Sequence, residues 1–158
     1  MIIMGIDPGI ALCGFGIIEK IGSELRHIRH GVITTSASLS LPQRIMLIHD
    51  ELKQLIVDYA PAVMGVEELF FCKNVKTALV VGQVKGVIIL TAAQARIPLL
   101  FFTPLQVKQA TTSYGRADKN QVQQMVKLLF HLPDIPTPDD AADGLAIAFC
   151  CANTTLLL

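Results

Sequence analysis

The sequence contains no tryptophan and only two tyrosines, and only 16% of its 158 residues are charged. Hydrophobic residues make up 52% of the chain, and this composition excludes an intrinsically disordered protein and a long coiled coil. A chain of this length is sufficient for one domain with a sizeable buried core. We therefore expect residues 1–158 to fold as a single domain.

The sequence also lacks the features of a membrane or secreted protein. Its longest uncharged stretch, residues 144–158, is shorter than the ~20 apolar residues that a membrane helix needs. No basic segment precedes the first apolar run, which Asp7 interrupts, so we expect no signal peptide. The four cysteines form neither a CxxC pair nor the spacing of a zinc site. These absences favour a reducing, cytoplasmic location and no membrane partner, with the apolar excess in buried helices or a subunit interface.

Positive charge is concentrated in the middle of the chain, although the net charge is zero. Residues 1–71 carry a net charge of −3, residues 72–133 carry +7, and residues 134–158 carry −4. A basic patch attracts phosphate backbones such as that of DNA. The same lysines and arginines on solvated helix faces would bind nothing, and charge alone does not separate these two interpretations.

The pattern of apolar residues and turn signals predicts an α/β fold. Three strands joined by glycine-containing turns come first, which indicates an antiparallel meander. Two further strands are separated by helices, and helices end the chain. We predict strands at residues 2–6, 12–19, 25–35, 62–66 and 99–102, and helices at residues 41–59, 75–94, 104–112, 119–132 and 139–152. This order predicts a mixed five-stranded sheet with helices on both faces.

Acidic residues follow two of the predicted strands and begin the last helix. Asp7 ends the first strand, and Glu67 and Glu68 follow the fourth. If these strands are neighbours, Asp7 and Glu67 meet at one edge of the sheet, where α/β folds commonly bind ligands. Asp140 and Asp143 are three residues apart in a helix and therefore share a face. The helix beyond Asp143 is apolar on every side, so this carboxylate begins a buried segment and needs a partner.

Carboxylates that converge without a histidine or cysteine ligand favour a hard cation such as Mg²⁺ or Mn²⁺. Two such ions, about 3.5–4 Å apart, suit the in-line attack of water on a phosphodiester. Simpler interpretations exist, with Asp7 as a turn residue, Glu67 as a solvated strand end and Asp140 as a helix cap. They explain Asp143 least well, because it lies one turn inside a buried helix. Spacing alone leaves the metal site as a hypothesis.

A series of short motifs adds a family resemblance. The motifs follow one another along nearly the whole chain, and their order is more specific than any single motif. They are GIDPG at 5–9, GFG at 14–16, VEELF at 66–70, KN at 73–74, GQ at 82–83, QVK at 106–108, GRADK at 115–119 and DAADGLA at 140–146. Together they resemble the RuvC family of Holliday junction resolvases.

The resemblance implies an RNase H-like fold. It also implies a structure-selective endonuclease that resolves four-way DNA junctions in recombination and repair. Such an enzyme cuts two symmetry-related strands of the junction. The resemblance places the catalytic and metal-binding acids at Asp7, Glu67, Asp140 and Asp143. It also implies two Mg²⁺ ions per active site with Mn²⁺ as a substitute, a homodimer, and the RuvA–RuvB branch-migration complex as partner. The residues that we expect to contact DNA are Phe70, Lys73, Lys76, Lys108, Arg116 and Lys119.

Two local features bear on DNA binding and assembly. Phe70 and Phe71 are adjacent, and we expect one to be buried and the other to be exposed for stacking on an unpaired base. Ala78, Gly82 and Gly86 recur every fourth residue, a spacing that suits close helix packing either in a dimer interface or inside the chain. The neutral net charge predicts weaker nonspecific DNA binding than in basic relatives.

Two other functions fit part of the pattern. A catalytically weak or inactive module that only holds junctions needs the basic residues but not a complete set of acids. A strand that ends in an Asp-x-Gly turn also begins actin-like ATPases and sugar kinases, but these enclose ATP between two such domains, and 158 residues supply only one. The complete set of acids therefore favours the nuclease.

Overall fold

The computed structural model describes residues 1–68 and 75–154, which form five strands and five helices. The strands are β1 (Ile2–Asp7), β2 (Leu12–Ile21), β3 (Glu24–Thr34), β4 (Val63–Glu67) and β5 (Leu99–Phe102). The helices are α1 (Leu41–Tyr59), α2 (Val75–Gln94), α3 (Pro104–Thr112), α4 (Lys119–Leu129) and α5 (Asp139–Thr154). Every predicted element is present in the predicted order.

One mixed sheet contains these strands in the order β3-β2-β1-β4-β5. The pairs β1–β2 and β2–β3 are antiparallel, whereas β1–β4 and β4–β5 are parallel. Ile6 of β1 pairs with Val66 of β4, so the last residues of these two strands lie at the same edge of the sheet. The predicted antiparallel meander and mixed sheet are confirmed.

Helices cover both faces of the sheet, because successive strand residues point to opposite sides. Met4 belongs to a core between the sheet and helices α1 and α2, which contribute Ile48 and Ile88. Ile3, its neighbour in β1, belongs to a second core under α3, α4 and α5. Ten residues of α5 are buried, so this helix is the most enclosed element of the second core.

Glycines allow α5 to lie directly against the backbone of the sheet. A β-carbon on Gly14 would lie 2.0 Å from the carbonyl oxygen of Asp140, and one on Gly144 would lie 2.4 Å from the carbonyl carbon of Phe15. No side chain fits at these distances, so the glycines determine how closely α5 approaches the sheet. Two more glycines with such backbone contacts to α5 are Gly5 and Gly16.

The bounds of α4 show how local signals place a functional residue. The carboxylate of Asp118 accepts the backbone N–H of Gln121, and the side chain of Gln121 accepts the N–H of Asp118. This capping box fixes Lys119 as the first residue of the helix. The helix ends at Leu129 rather than at residue 132 as predicted, because His131 has a φ of 50°, which a right-handed helix does not accommodate.

Helix α2 presents an exposed apolar face. Leu79 is 65% exposed and Leu90 is 54% exposed. Apart from the nearby backbone of α2 itself, no atom of residues 1–68 or 75–154 lies within 4 Å of a β-carbon built on Gly82 or Gly86. Of the two alternatives for this stripe, the described residues therefore do not supply the helix contact inside the chain at these two glycines. The sequence led us to expect no segment long and apolar enough to span a membrane, but α2 is sufficient in both length and composition. This is weak evidence for a membrane span, because core helices of soluble proteins pass the same test.

Candidate active site

Three elements bring the predicted acids together. Asp7 and Glu67 are the last residues of β1 and β4, which are parallel neighbours. Helix α5 packs on β1 and β2, and the carbonyl oxygen of Asp140 lies beside Gly14, the partner of Asp7 in β2. The strand ends therefore meet as expected, and the start of α5 adds the second pair of acids to the same edge.

One pocket of ≈ 280 Å³ is lined by Asp7, Glu67 and Asp143. Lys108 of α3 and Lys119 of α4 also line it. Its apolar lining residues are Pro104, Val107 and Val122. Asp140 is not a lining residue, although its charge raises the pKa of Asp7 and of Asp143. A pocket of ≈ 320 Å³ lined by residues of α4 and the end of α3 has no charged lining residue, so it offers no comparable chemistry.

Burial and mutual repulsion raise the pKa of the three lining carboxyls. Burial raises the pKa of Asp7 to about 8, with further contributions from Glu67, Asp143 and Asp140. Burial, and then the charge of Asp143, raises the pKa of Glu67 to about 7. Burial also raises the pKa of Asp143 to about 6, although Lys119 opposes this shift. The pocket therefore contains too little positive charge to stabilise all three carboxylates in their ionised form. A bound cation would supply this charge.

The donor set fits a hard divalent cation. The pocket offers carboxylate oxygens and contains no histidine or cysteine among its lining residues, which is the ligand chemistry of Mg²⁺ and Mn²⁺. Within residues 1–68 and 75–154, no three acidic, histidine or cysteine side chains already form a ligand set. Mutual repulsion keeps the ionised carboxylates apart when no cation is bound.

Asp139 lies beside this site, although no sequence motif predicts a role for it. Nζ of Lys119 donates a hydrogen bond of 2.6 Å to Oδ2 of Asp139. This bond holds the pKa of Asp139 below its ordinary value and raises the pKa of Lys119. The two residues begin α5 and α4, so the ion pair joins two helix N-termini. The sequence signal was the acidic pair at 139–140, but it does not show which lysine is the partner.

Two other residues expected to contact DNA, Arg116 and Lys76, are described by the structure and do not line the pocket. Arg116 is exposed in the loop between α3 and α4. Lys76 is exposed in the first turn of α2. The predicted DNA-contact residues that the structure brings together with the acids are thus Lys108 and Lys119. Outside the described residues lie Phe70, Phe71 and Lys73.

Comparisons with known proteins identify the family of this chain. The family described as "Crossover junction endodeoxyribonuclease RuvC" matches residues 3–151. The chain is 52% identical over 155 residues to the protein of this description from Thermosipho melanesiensis, covering 98% of this chain and 99% of the relative. It is 55% identical over 147 residues to the one from Roseiflexus sp., covering 93% and 88%.

A solved structure described as "T. thermophilus RuvC in complex with Holliday junction substrate" has the same fold as this chain. Its TM-score is 0.93 at 33% sequence identity, and the match covers 98% of this chain and 94% of that one. The mixed sheet flanked by helices is thus an RNase H-like α/β fold, and the nucleases with this fold and these motifs are metal-dependent. Because the family match and the relatives extend over nearly its whole length, the chain belongs to the RuvC family of crossover junction endodeoxyribonucleases.

Proposed function

We propose that the chain resolves four-way DNA junctions by hydrolysing phosphodiesters in two symmetry-related strands during recombination and repair. The observation that carries this proposal is the pocket in which Asp7, Glu67 and Asp143 lie with Lys108 and Lys119. Phosphodiester hydrolysis needs acidic ligands for divalent ions next to basic groups for the DNA backbone. The structural likeness to T. thermophilus RuvC in complex with Holliday junction substrate supports a junction as the substrate.

We assign Asp7, Glu67, Asp140 and Asp143 as the catalytic residues that hold two Mg²⁺ ions, with Mn²⁺ as a substitute. The bound ions would supply an activated water and stabilise the charge on the leaving oxygen. Because Asp7 has the most strongly raised pKa of the three pocket carboxyls, it contributes most to the release of protons that accompanies metal binding. Metal binding is therefore expected to be tighter at pH 8 than at pH 6.

The basic residues place the DNA backbone over these acids. Lys108 and Lys119 line the pocket itself, so their ammonium groups are assigned to the phosphates next to the bond that is cut. The exposed residues Arg116 and Lys76 are assigned to phosphates farther along the arms of the junction. Two further proposed contacts are the aromatic ring of Phe70 on an unpaired base and the ammonium of Lys73 on phosphate.

The proposed active unit is a homodimer. A four-way junction has two equivalent cleavage points, and a two-fold dimer supplies one pocket for each of them. We assign the exposed face of α2 to the dimer contact, because its exposed side chains Leu79 and Leu90 would lose contact with water there. Gly82 and Gly86 have open space above them, so a second helix can approach the backbone of α2 closely.

In this proposal residues 1–158 act as one nuclease domain in the cytoplasm. A second copy of the chain, rather than lipid, covers the apolar face of α2. The partner at the junction is the RuvA–RuvB branch-migration complex, which the family assignment suggests and which would present the crossover to the nuclease.

Incubation of the pure protein with a synthetic four-way junction, an equal-length duplex or ATP, each with and without Mg²⁺, tests the proposal. We expect paired nicks in the junction only when Mg²⁺ is present. Asp143→Asn should abolish nicking and retain junction binding, because the change removes a metal-binding charge and leaves the lysines in place. Asp134→Asn is a matched control, since Asp134 is an exposed acid before α5 and should not affect nicking.

The same assay separates the alternatives. Junction binding by the unaltered protein without nicks in Mg²⁺ or Mn²⁺ would identify a binding module and reject the nuclease. ATP turnover would identify the kinase-like alternative.

A further inference from the structure

Lys119 lies between acids inside the pocket and an acid outside it. It lines the pocket together with Asp7, Glu67 and Asp143, and its charge opposes the raised pKa of all three. Its ammonium nevertheless donates a 2.6 Å hydrogen bond to Asp139, which is not a lining residue. The side chain therefore has negative partners on two sides, and the structure shows it on the outer one.

An ammonium group among metal-binding carboxylates competes with the metal. It donates charge-assisted hydrogen bonds to the same carboxylate oxygens that would bind the metal. The side chain of Lys119 is 69% exposed, and a lysine has a flexible four-carbon stem, so packing does not prevent the ammonium from turning inward. A partner outside the pocket would therefore keep the carboxylate oxygens available to metal ions.

We propose that Asp139 is a positioning residue that holds the Lys119 ammonium at the rim of the pocket and so prevents it from neutralising the metal-binding carboxylates. This inference rests on the proposed function, because it places the metal ions among the pocket carboxylates. It gives a role to the ion pair between Lys119 and Asp139. Neither metal binding by the four acids nor phosphate binding by the lysines, as proposed above, needs this ion pair.

Asp139 suits this role because it and Lys119 each lie at the N-terminus of a helix. It is the first residue of α5, where backbone N–H groups of Asp139 and Asp140 stabilise its negative charge. Lys119 is the first residue of α4, where a positive charge is unfavourable unless an anion compensates it. The carboxylate is thus anchored to the helix that carries Asp143, and the ammonium is held at a fixed point next to the pocket.

The test is the affinity of the DNA-free protein for Mn²⁺, measured by calorimetry and by electron paramagnetic resonance. Four proteins are compared: unaltered, Asp139→Asn, Lys119→Gln and the double variant. We expect Asp139→Asn to weaken Mn²⁺ binding roughly tenfold, at the lower end of what is typical of residues that support metal ligands from outside. On the Lys119→Gln background the same change should alter affinity by less than about twofold, because no ammonium remains to turn inward.

Two results would overturn the proposal. Equal weakening on both backgrounds would mean that Asp139 acts through its own negative charge, and an unchanged affinity on both would mean that the ion pair does not affect the pocket. Asp139→Glu should retain most of the Mn²⁺ affinity, because it keeps a carboxylate for the Lys119 ammonium. If Asp139 had only a structural role, the effect of replacing it would be the same with and without Lys119. If Asp139→Asn proves to be unfolded by circular dichroism, Asp139→Ser retains an oxygen at the helix start and replaces it in the comparison.

Asp134→Asn serves as the matched control, because it removes an exposed acid from the segment before α5 without touching the ion pair. The result is independent of the junction assay. Failure of the unaltered protein to cut junctions would reject the proposed function, whereas the Mn²⁺ comparison reports on the ion pair alone.

Discussion

Replacement of Asp7 by asparagine should stabilise the metal-free protein, and the gain should grow with pH. Burial raises the pKa of Asp7 from 3.8 to about 8, so between these values the folded state holds a proton that the unfolded state has lost. Stability therefore falls as pH rises through this window, and the loss is complete above the folded pKa. Asparagine is uncharged at every pH and removes this dependence.

The size of the effect follows from the shift. Each pKa unit corresponds to about 1.4 kcal/mol, so between pH 5 and pH 8 the free energy of unfolding of the unaltered protein falls by about 3–4 kcal/mol relative to Asp7→Asn. For a domain of this length, that difference is roughly 6–15 °C in Tm. A bound divalent cation stabilises the ionised carboxylates, so Mg²⁺ should raise the Tm of the unaltered protein more than that of the variant.

Chemical and thermal denaturation in EDTA at pH 5 and pH 8 measures this difference. Asp50→Asn is the control, because Asp50 is exposed on α1 and its replacement should produce the same Tm change at both pH values. The compared quantity is the stability of Asp7→Asn minus that of the unaltered protein. If this difference is no larger at pH 8 than at pH 5, the reasoning from burial and repulsion in the pocket is wrong.

Three further predictions concern packing, capping and assembly. Gly144→Ala should lower the free energy of unfolding by about 3 kcal/mol or more in urea denaturation, because the new β-carbon meets the β2 backbone, although helix propensity alone favours alanine. Ala60→Gly should raise it by about 1 kcal/mol in the same assay, since Ala60 caps α1 with a φ of 45°. Leu79→Glu should produce monomers in light scattering, whereas Leu128→Glu, at a similarly exposed site on α4, should not.

The bounds of several elements were predictable because local residues mark them. Helices α1, α2 and α3 span the predicted ranges, and α3 begins at Pro104, which suits the first turn of a helix. The end of α4 was predicted wrongly, because His131 adopts a backbone conformation that glycine usually occupies. Nothing in the side chain of a histidine marks that conformation in advance.

The candidate site was predictable in part. Asp7 and Glu67 end two strands, and a correct strand order suffices to bring them to one edge of the sheet. The pairing of Lys119 with Asp139 was not predictable, because the residues are 20 positions apart and lie in different helices. Several other lysines were equally suitable partners by charge alone. The catalytic roles of the four acids remain predictions, which the junction assay tests.

By itself the sequence determined where the strands and helices lie and which side chains carry charge, because turn residues, capping residues and apolar periodicity act over a few positions. The tertiary structure alone decided how close α5 lies to β1 and β2 and which ammonium meets which carboxylate. Both depend on distances across the core, and these are set where the glycines let two backbones touch.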